Sequence, residues 1–168
     1  MAITKINNNS LSAVTTLPAA IATGKVLQVV QGSTTTQVTI ASTSYTDTGI
    51  TASITPSSTS SKILVSVTMQ FTAYRDDNAA FKSYVNLVRS ATQVYENPEA
   101  LGSAVGVGSN GYQQIWGTIP LIYLDSPSST SSVTYKVQAK NYNTSGNRQL
   151  KVSTSSSKST ITLTEVSA

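Results

Sequence analysis

The sequence predicts an all-β chain: a two-sheet antiparallel β-sandwich of jelly-roll type with an extended N-terminal arm. Three observations predict it. Apolar and polar residues alternate in short runs, the runs are separated by Gly, Ser, Asn, Asp and Pro, and no stretch carries the 3.6-residue period of a helix. A length of 168 residues suits one domain with a proper core. Only 11% of residues are charged, so the surface has to be built largely from the abundant Ser and Thr hydroxyls.

Strands are expected at about 25–31, 37–40, 44–48, 51–55, 62–74, 81–89, 92–95, 112–125, 133–142, 148–154 and 160–166. The clearest is KILVSVTMQFTAY, where Ile63, Val65, Val67, Met69, Phe71 and Ala73 fall on one face and Ser66, Thr68, Gln70 and Thr72 on the other. VTYKVQAKN repeats the pattern, with Val133, Tyr135, Val137 and Ala139 inward. The hexapeptide PSSTSS occurs at Pro56–Ser61 and again at Pro127–Ser132, each time just before a core strand. Because the flanking sequences share only their alternation, it reads as recurrent turn chemistry and not as a duplicated functional loop.

Two strands are apolar on both faces. In FKSYVNLVR, Phe81, Val85 and Leu87 oppose Tyr84 and Val88. In YQQIWGTIPLIYLD, Ile115, Ile119, Leu121 and Tyr123 oppose Trp116, Ile122 and Leu124. Such strands need cover on both sides. An identical subunit is the expected cover for Tyr84, Val88, Trp116, Ile122 and Leu124, in a homotrimer; the alternative is that the N-terminal segment folds back over them.

Residues 1–23 are set apart from a sandwich domain at 24–168. Ile3, Ile6, Leu11, Val14, Leu17 and Ile21 are spaced irregularly around NNNS, and Pro18 interrupts any helix, so an arm that orders only against a partner is expected.

Composition excludes much chemistry. The chain has no Cys and no His, which removes disulfides, thiolate and imidazole metal sites, and Ser-His or Cys-His nucleophiles. No cofactor is implied. The formal charge of +4 comes from Lys and Arg scattered singly, without the stripe that nucleic acid requires. No apolar run reaches the length of a signal peptide or membrane span, so a soluble chain is expected. Asp76 and Asp77 read as a polar hairpin tip. Glu96 and Glu99, in a loop around Pro98, lack the signature of a glycosidase pair. The Gly-rich run Leu101–Gly111 lacks the Lys and helix of a phosphate loop. Tyr112 and Trp116 after it suit the floor of a carbohydrate site, although burial of Trp116 at a subunit contact is the preferred reading.

GKVLQVVQ, ITPSSTSSKILVSV, NLVRSATQVY, IYLDSPSSTSSVTYKVQAKN and the closing STITLTEV together resemble a group of tailed-bacteriophage virion proteins, especially from phages of cyanobacteria and other aquatic bacteria. The opening MAITKINNNSLS is similar to the start of phage fibre proteins, whose leading segments attach to the virion. The resemblance implies a non-enzymatic virion component: a trimeric fibre or knob held by its N-terminal arm against other tail or capsid proteins, and contacting host-surface glycan. The runner-up that it implies is a capsid cement, or decoration, protein clamping neighbouring shell subunits. A carbohydrate-binding module is the alternative from a different class, and no catalytic residue is carried over.

Overall fold

The computed structural model describes residues 24–76, 81–103, 113–144, 147–153 and 156–167. Ten strands follow one another: β1 Val26–Thr34, β2 Val38–Ile40, β3 Thr46–Ile54, β4 Lys62–Arg75, β5 Phe81–Arg89, β6 Thr92–Ser103, β7 Gln113–Asp125, β8 Val133–Asn141, β9 Gln149–Val152 and β10 Ser159–Val166. The expected arm with Ile3, Ile6, Leu11, Val14, Leu17 and Ile21 lies outside the described residues, as do Asp77, most of the Gly-rich run and Tyr112.

The pairing is nested. β1 pairs β10, β2 pairs β9, β3 pairs β8, β4 pairs β7 and β5 pairs β6, all antiparallel. The chain is therefore one long two-stranded ribbon, turning back on itself at Ser90–Ala91 and rolled up so that β1:β10 and β2:β9 share one sheet and the pairs from β3:β8 onward alternate between the two. The four-stranded sheet runs β3-β8-β5-β6. In the six-stranded sheet β1-β10-β4 continues to β7 on one side, while the short β9 and β2 extend the order from the far half of β4. Without that short β2–β9 ribbon, the order is that of an eight-stranded jelly roll.

The roll explains the repeated PSSTSS. On one side of the ribbon Ile54 pairs Val133, and on the next Ile63 pairs Asp125, so both copies occupy the corner where the pair β3:β8 becomes the pair β4:β7. Two adjacent chain segments make the same bend. They use the same local bond: Ser60 N–H donates to Ser58 Oγ, and Ser131 N–H donates to Ser129 Oγ. The copies differ at their second residue, where Ser128 has a φ of 51° and Ser57 turns instead toward the last strand.

Between the sheets lies one apolar core. All the inward residues expected of β4 and β8 are buried, Ile63, Val65, Tyr135, Val137 and Ala139 completely. Each fully buried Ile or Leu contributes about 2 kcal/mol of apolar transfer. β1 and β3 close one flank of the sandwich at Gly32, where a Cβ would stand 2.0 Å from the Thr51 carbonyl oxygen. Only a residue without a side chain permits that approach.

Two expected boundaries differ. The segments 44–48 and 51–55 are a single strand, β3, because Gly49 at φ 79° absorbs a bulge between Asp47 and Thr51 without ending the ladder. β6 runs on to Ser103 through Pro98, which sits in the register break between Asn97 and Leu101 on the outermost strand, where no ladder bond is lost. Pro120 is placed likewise on β7, the outermost strand of the other sheet at that flank.

Candidate functional site

The two outer faces are chemically unlike. On the six-stranded sheet the outward residues line up across strands: Val29, Thr164, Leu64 and Leu124 in one row, and Gln31, Thr162, Ser66 and Ile122 in the next. Between Lys62 at one end and Lys151 at the other, none of the outward positions described on β1, β10, β4 and β7 carries a charge. Ile122 is 71% exposed, Val29 58% and Leu124 56%, so this end of the face is apolar and open to water.

The outer face of the four-stranded sheet is a mesh of ion pairs and rings. Lys136 Nζ stands 2.9 Å from Asp47, and Lys82 Nζ 2.7 Å from Glu99. Lys140 Nζ lies 4.4 Å from the centre of the Tyr45 ring and 4.9 Å from that of Tyr84, and Tyr84 stacks on Tyr142. The Tyr45 hydroxyl donates to Glu96, and Gln93 Nε2 donates to the other Glu96 oxygen. Burial, then the neighbouring Glu96 carboxylate, pushes the Tyr45 phenol up. Hydrogen bonds from Lys136 and then Gln138 hold Asp47 below the usual carboxylate range. Glu96 is thus engaged by Tyr45 and Gln93, and Glu99 separately by Lys82.

The five residues expected at a subunit interface are not brought together. Tyr84 and Val88 belong to the four-stranded sheet and Trp116, Ile122 and Leu124 to the other, so the two groups face away from each other. Val88 is 6% exposed, flanked in the ladder by Lys136 and Gln93, and offers little surface. Leu124 adjoins Leu64 across the ladder, with Val29 on the edge strand of the same row beyond Thr164, and Ile122 lies one outward position along from Leu124. Trp116 lies six residues up the same strand, about 20 Å away at the usual rise.

Trp116 belongs to a different neighbourhood. Across the ladder it opposes Thr72, which opposes Lys151, and one step further Gln114, Tyr74 and Gln149 line up. Two adjoining hollows lie here and share Thr72. One, of about 250 Å³, is lined by Tyr74, Gln114, Asn147, Gln149 and Lys151. The other, of about 180 Å³, lies among Gln70, Trp116, Gly117 and Ser157. The Trp116 indole is 70% exposed at its rim. Gly117 lets the strand settle against the Phe71 ring, which would meet a Cβ at 2.9 Å.

One polar cluster escaped the sequence reading. Glu165 is fully buried at an inward position of β10. It accepts from Gln28 Nε2 at 2.6 Å and from both the N–H and hydroxyl of Ser57 at 2.7 Å. Its signal was present, since Ile161, Leu163 and Glu165 fall in one alternating set. Nearby in the same roll, Asp125 accepts from Arg89 at 2.8 Å and from the buried Tyr135 hydroxyl at 2.6 Å.

No family model matches the chain, and no curated protein does. Solved structures are similar at low identity. The structure of the infectious bursal disease virus Gx strain is 10% identical, with a TM-score of 0.36, over 83% of this chain and 39% of that one. The crystal structure of the infectious bursal disease virus VP2 subviral particle is 13% identical, with a TM-score of 0.31, over the same shares. The chain thus spans about two fifths of the length of those it matches. On its own strand order it is a jelly roll with one extra two-stranded ribbon.

Proposed function

We propose that this chain is a non-enzymatic structural protein of a tailed-phage particle, an exterior knob that assembles as a homotrimer and is anchored by residues 1–23. The observation that carries the assembly is the contrast between the two outer faces. A chain with a formal charge of +4 repels copies of itself, and the outer face of the six-stranded sheet is where that repulsion is least. Ile122, Leu124 and Leu64 supply its apolar centre, Val29 adds an apolar residue at the edge strand beyond Thr164, and the Thr, Ser and Gln positions supply hydroxyls and amides around them. The virion role itself is supported by the resemblance of the strand sequences and of the opening MAITKINNNSLS to phage virion proteins.

A decoration role places the same face against a shell subunit instead of a second copy. Light scattering of the purified chain separates the two: a trimer at micromolar concentration supports self-assembly, and a monomer that binds only to particles supports decoration. Removing residues 1–22 is expected to abolish attachment to particles while the remaining domain keeps its thermal transition, because the described strands begin at Val26. Loss of that transition on truncation would overturn the arm.

A further inference from the structure

We infer that the paired hollows around Thr72 form a saccharide-binding groove, with Trp116 as the stacking platform and Lys151 as the selector for an acidic sugar. The inference deepens the proposed function, from which it takes only the source of the glycan, a host surface; the groove's chemistry stands apart from assembly.

The lining matches a sugar group by group. A pyranose has an apolar face of C–H bonds and a rim of hydroxyls that both donate and accept. The exposed Trp116 indole offers a flat, apolar surface at the mouth of the groove. Gln149 and Asn147 offer amides, each with a donor and an acceptor side by side, as adjacent hydroxyls require, and Gln70 adds its NH₂. Together the hollows reach the lower part of the roughly 300–1,000 Å³ range of small-molecule sites.

The groove is also built to hold its shape. Gln70 sits where β9 gives way to β10 alongside β4. Its carbonyl accepts from Ser153 N–H and its own N–H donates to Ser159 Oγ, both at 2.9 Å. Its side-chain Oε1 accepts from Thr118 Oγ1 at 3.0 Å, which fixes the amide plane and leaves the NH₂ for a ligand. Asn147 Oδ1 accepts from Gln149 Nε2, two residues further along the chain. Most sides of the groove are therefore regular strand, the setting that keeps a recognition site ordered before its ligand arrives.

Charge narrows the ligand. Among the described residues lining the hollows, Lys151 is the only charged one. One cation is far too few for a polyanionic nucleic acid strand. It suits a single carboxylate, as on a uronic acid within a glycan chain.

Trp116 is the only tryptophan in the chain, so emission excited selectively in tryptophan reports this groove. Titration of the full chain with alginate oligosaccharides, which carry a carboxylate on every ring, should give a saturable change in emission. Neutral cello-oligosaccharides should bind about tenfold more weakly. Lys151→Met should erase that preference while retaining neutral binding, and Trp116→Ala should lower retention on immobilised alginate at least tenfold with its thermal transition intact. Absence of saturation with both glycans, or equal retention by Trp116→Ala, would overturn the groove. Emission that changes on dilution of the oligomer and not with glycan would make Trp116 a subunit contact, and the inference would also fall. A trimer that binds no glycan sinks the groove alone, whereas a glycan-binding monomer sinks the assembly alone.

Discussion

Ser57 donates both its main-chain N–H and its hydroxyl to the same oxygen of Glu165, each at 2.7 Å, from the first PSSTSS corner to the last strand. A carboxylate fully removed from water is tolerated there because the corner and Gln28 supply donors to both of its oxygens. The turn is therefore also a lock on the C-terminal strand.

The lock is pH-dependent. Burial opposes the charge on Glu165, but donors from Gln28 and Ser57 outweigh it, and the carboxyl is lowered from 4.5 to about 2. A lowered folded-state value means the unfolded chain binds the proton more readily, so the contribution is complete above about pH 4.5 and is lost as pH falls toward 2. Urea midpoints should decline across that window. Glu165→Gln, whose NH₂ confronts donors, should cost about 2 kcal/mol at neutral pH and flatten the decline. A wild-type midpoint constant from pH 5 to 2 would contradict the lock.

Tyr135→Phe tests the second buried cluster. The change removes one hydroxyl donor to Asp125 and leaves the Arg89 pair at 2.8 Å in place. About 1–2 kcal/mol should be lost in chemical denaturation. Asp125→Ala should cost more, about 3 kcal/mol, since it takes the acceptor from the buried Tyr135 hydroxyl and from Arg89, which keeps only the Ser126 carbonyl at 3.2 Å. Equal losses would mean that the tyrosine contributes everything.

Ile122→Asp with Leu124→Asp should convert the proposed trimer to monomer in sedimentation velocity. Both side chains are more than half exposed, so the thermal transition of the monomer should stay close to that of a Thr substitution at the same sites. Val88→Asp, by contrast, should destabilise the domain itself by about 2 kcal/mol, because that side chain is buried on the opposite sheet. An unchanged trimer in the double variant would remove this face from the interface.

Incubation with host envelope polysaccharide should release no new reducing ends. Glu96 is engaged by Tyr45 and Gln93, and Glu99 by Lys82, in separate contacts on the outer face. Release that disappears in Glu96→Gln or Glu99→Gln would reverse the non-enzymatic reading.

The alternation in KILVSVTMQF and VTYKVQAKN was enough to name the buried faces of β4 and β8, because a period of two leaves one choice of inward set. Pairing was not legible, since alternation says which way a side chain points and nothing about which strand lies beside it. That is why Tyr84 and Trp116 looked like members of one patch and stand on opposite sheets. Val88 has an outward position and is nonetheless covered, as happens where long neighbours such as Lys136 and Gln93 flank a small residue. The groove was only half legible: Trp116 stood out, but Gln149 and Lys151 reach it through a strand of four residues formed far along the chain.

Pro98 and Pro120 occupy the outermost strands of the two sheets on one flank. An approaching strand would meet pyrrolidine rings there in place of hydrogen-bond donors. β1, on the other flank, carries no proline and bares Val26 and Val29. β3, the edge of the four-stranded sheet on that side, is likewise free of proline. The prolines thus turn any strand addition toward the β1 and β3 side, a bias that matters most wherever many copies are crowded together at high local concentration.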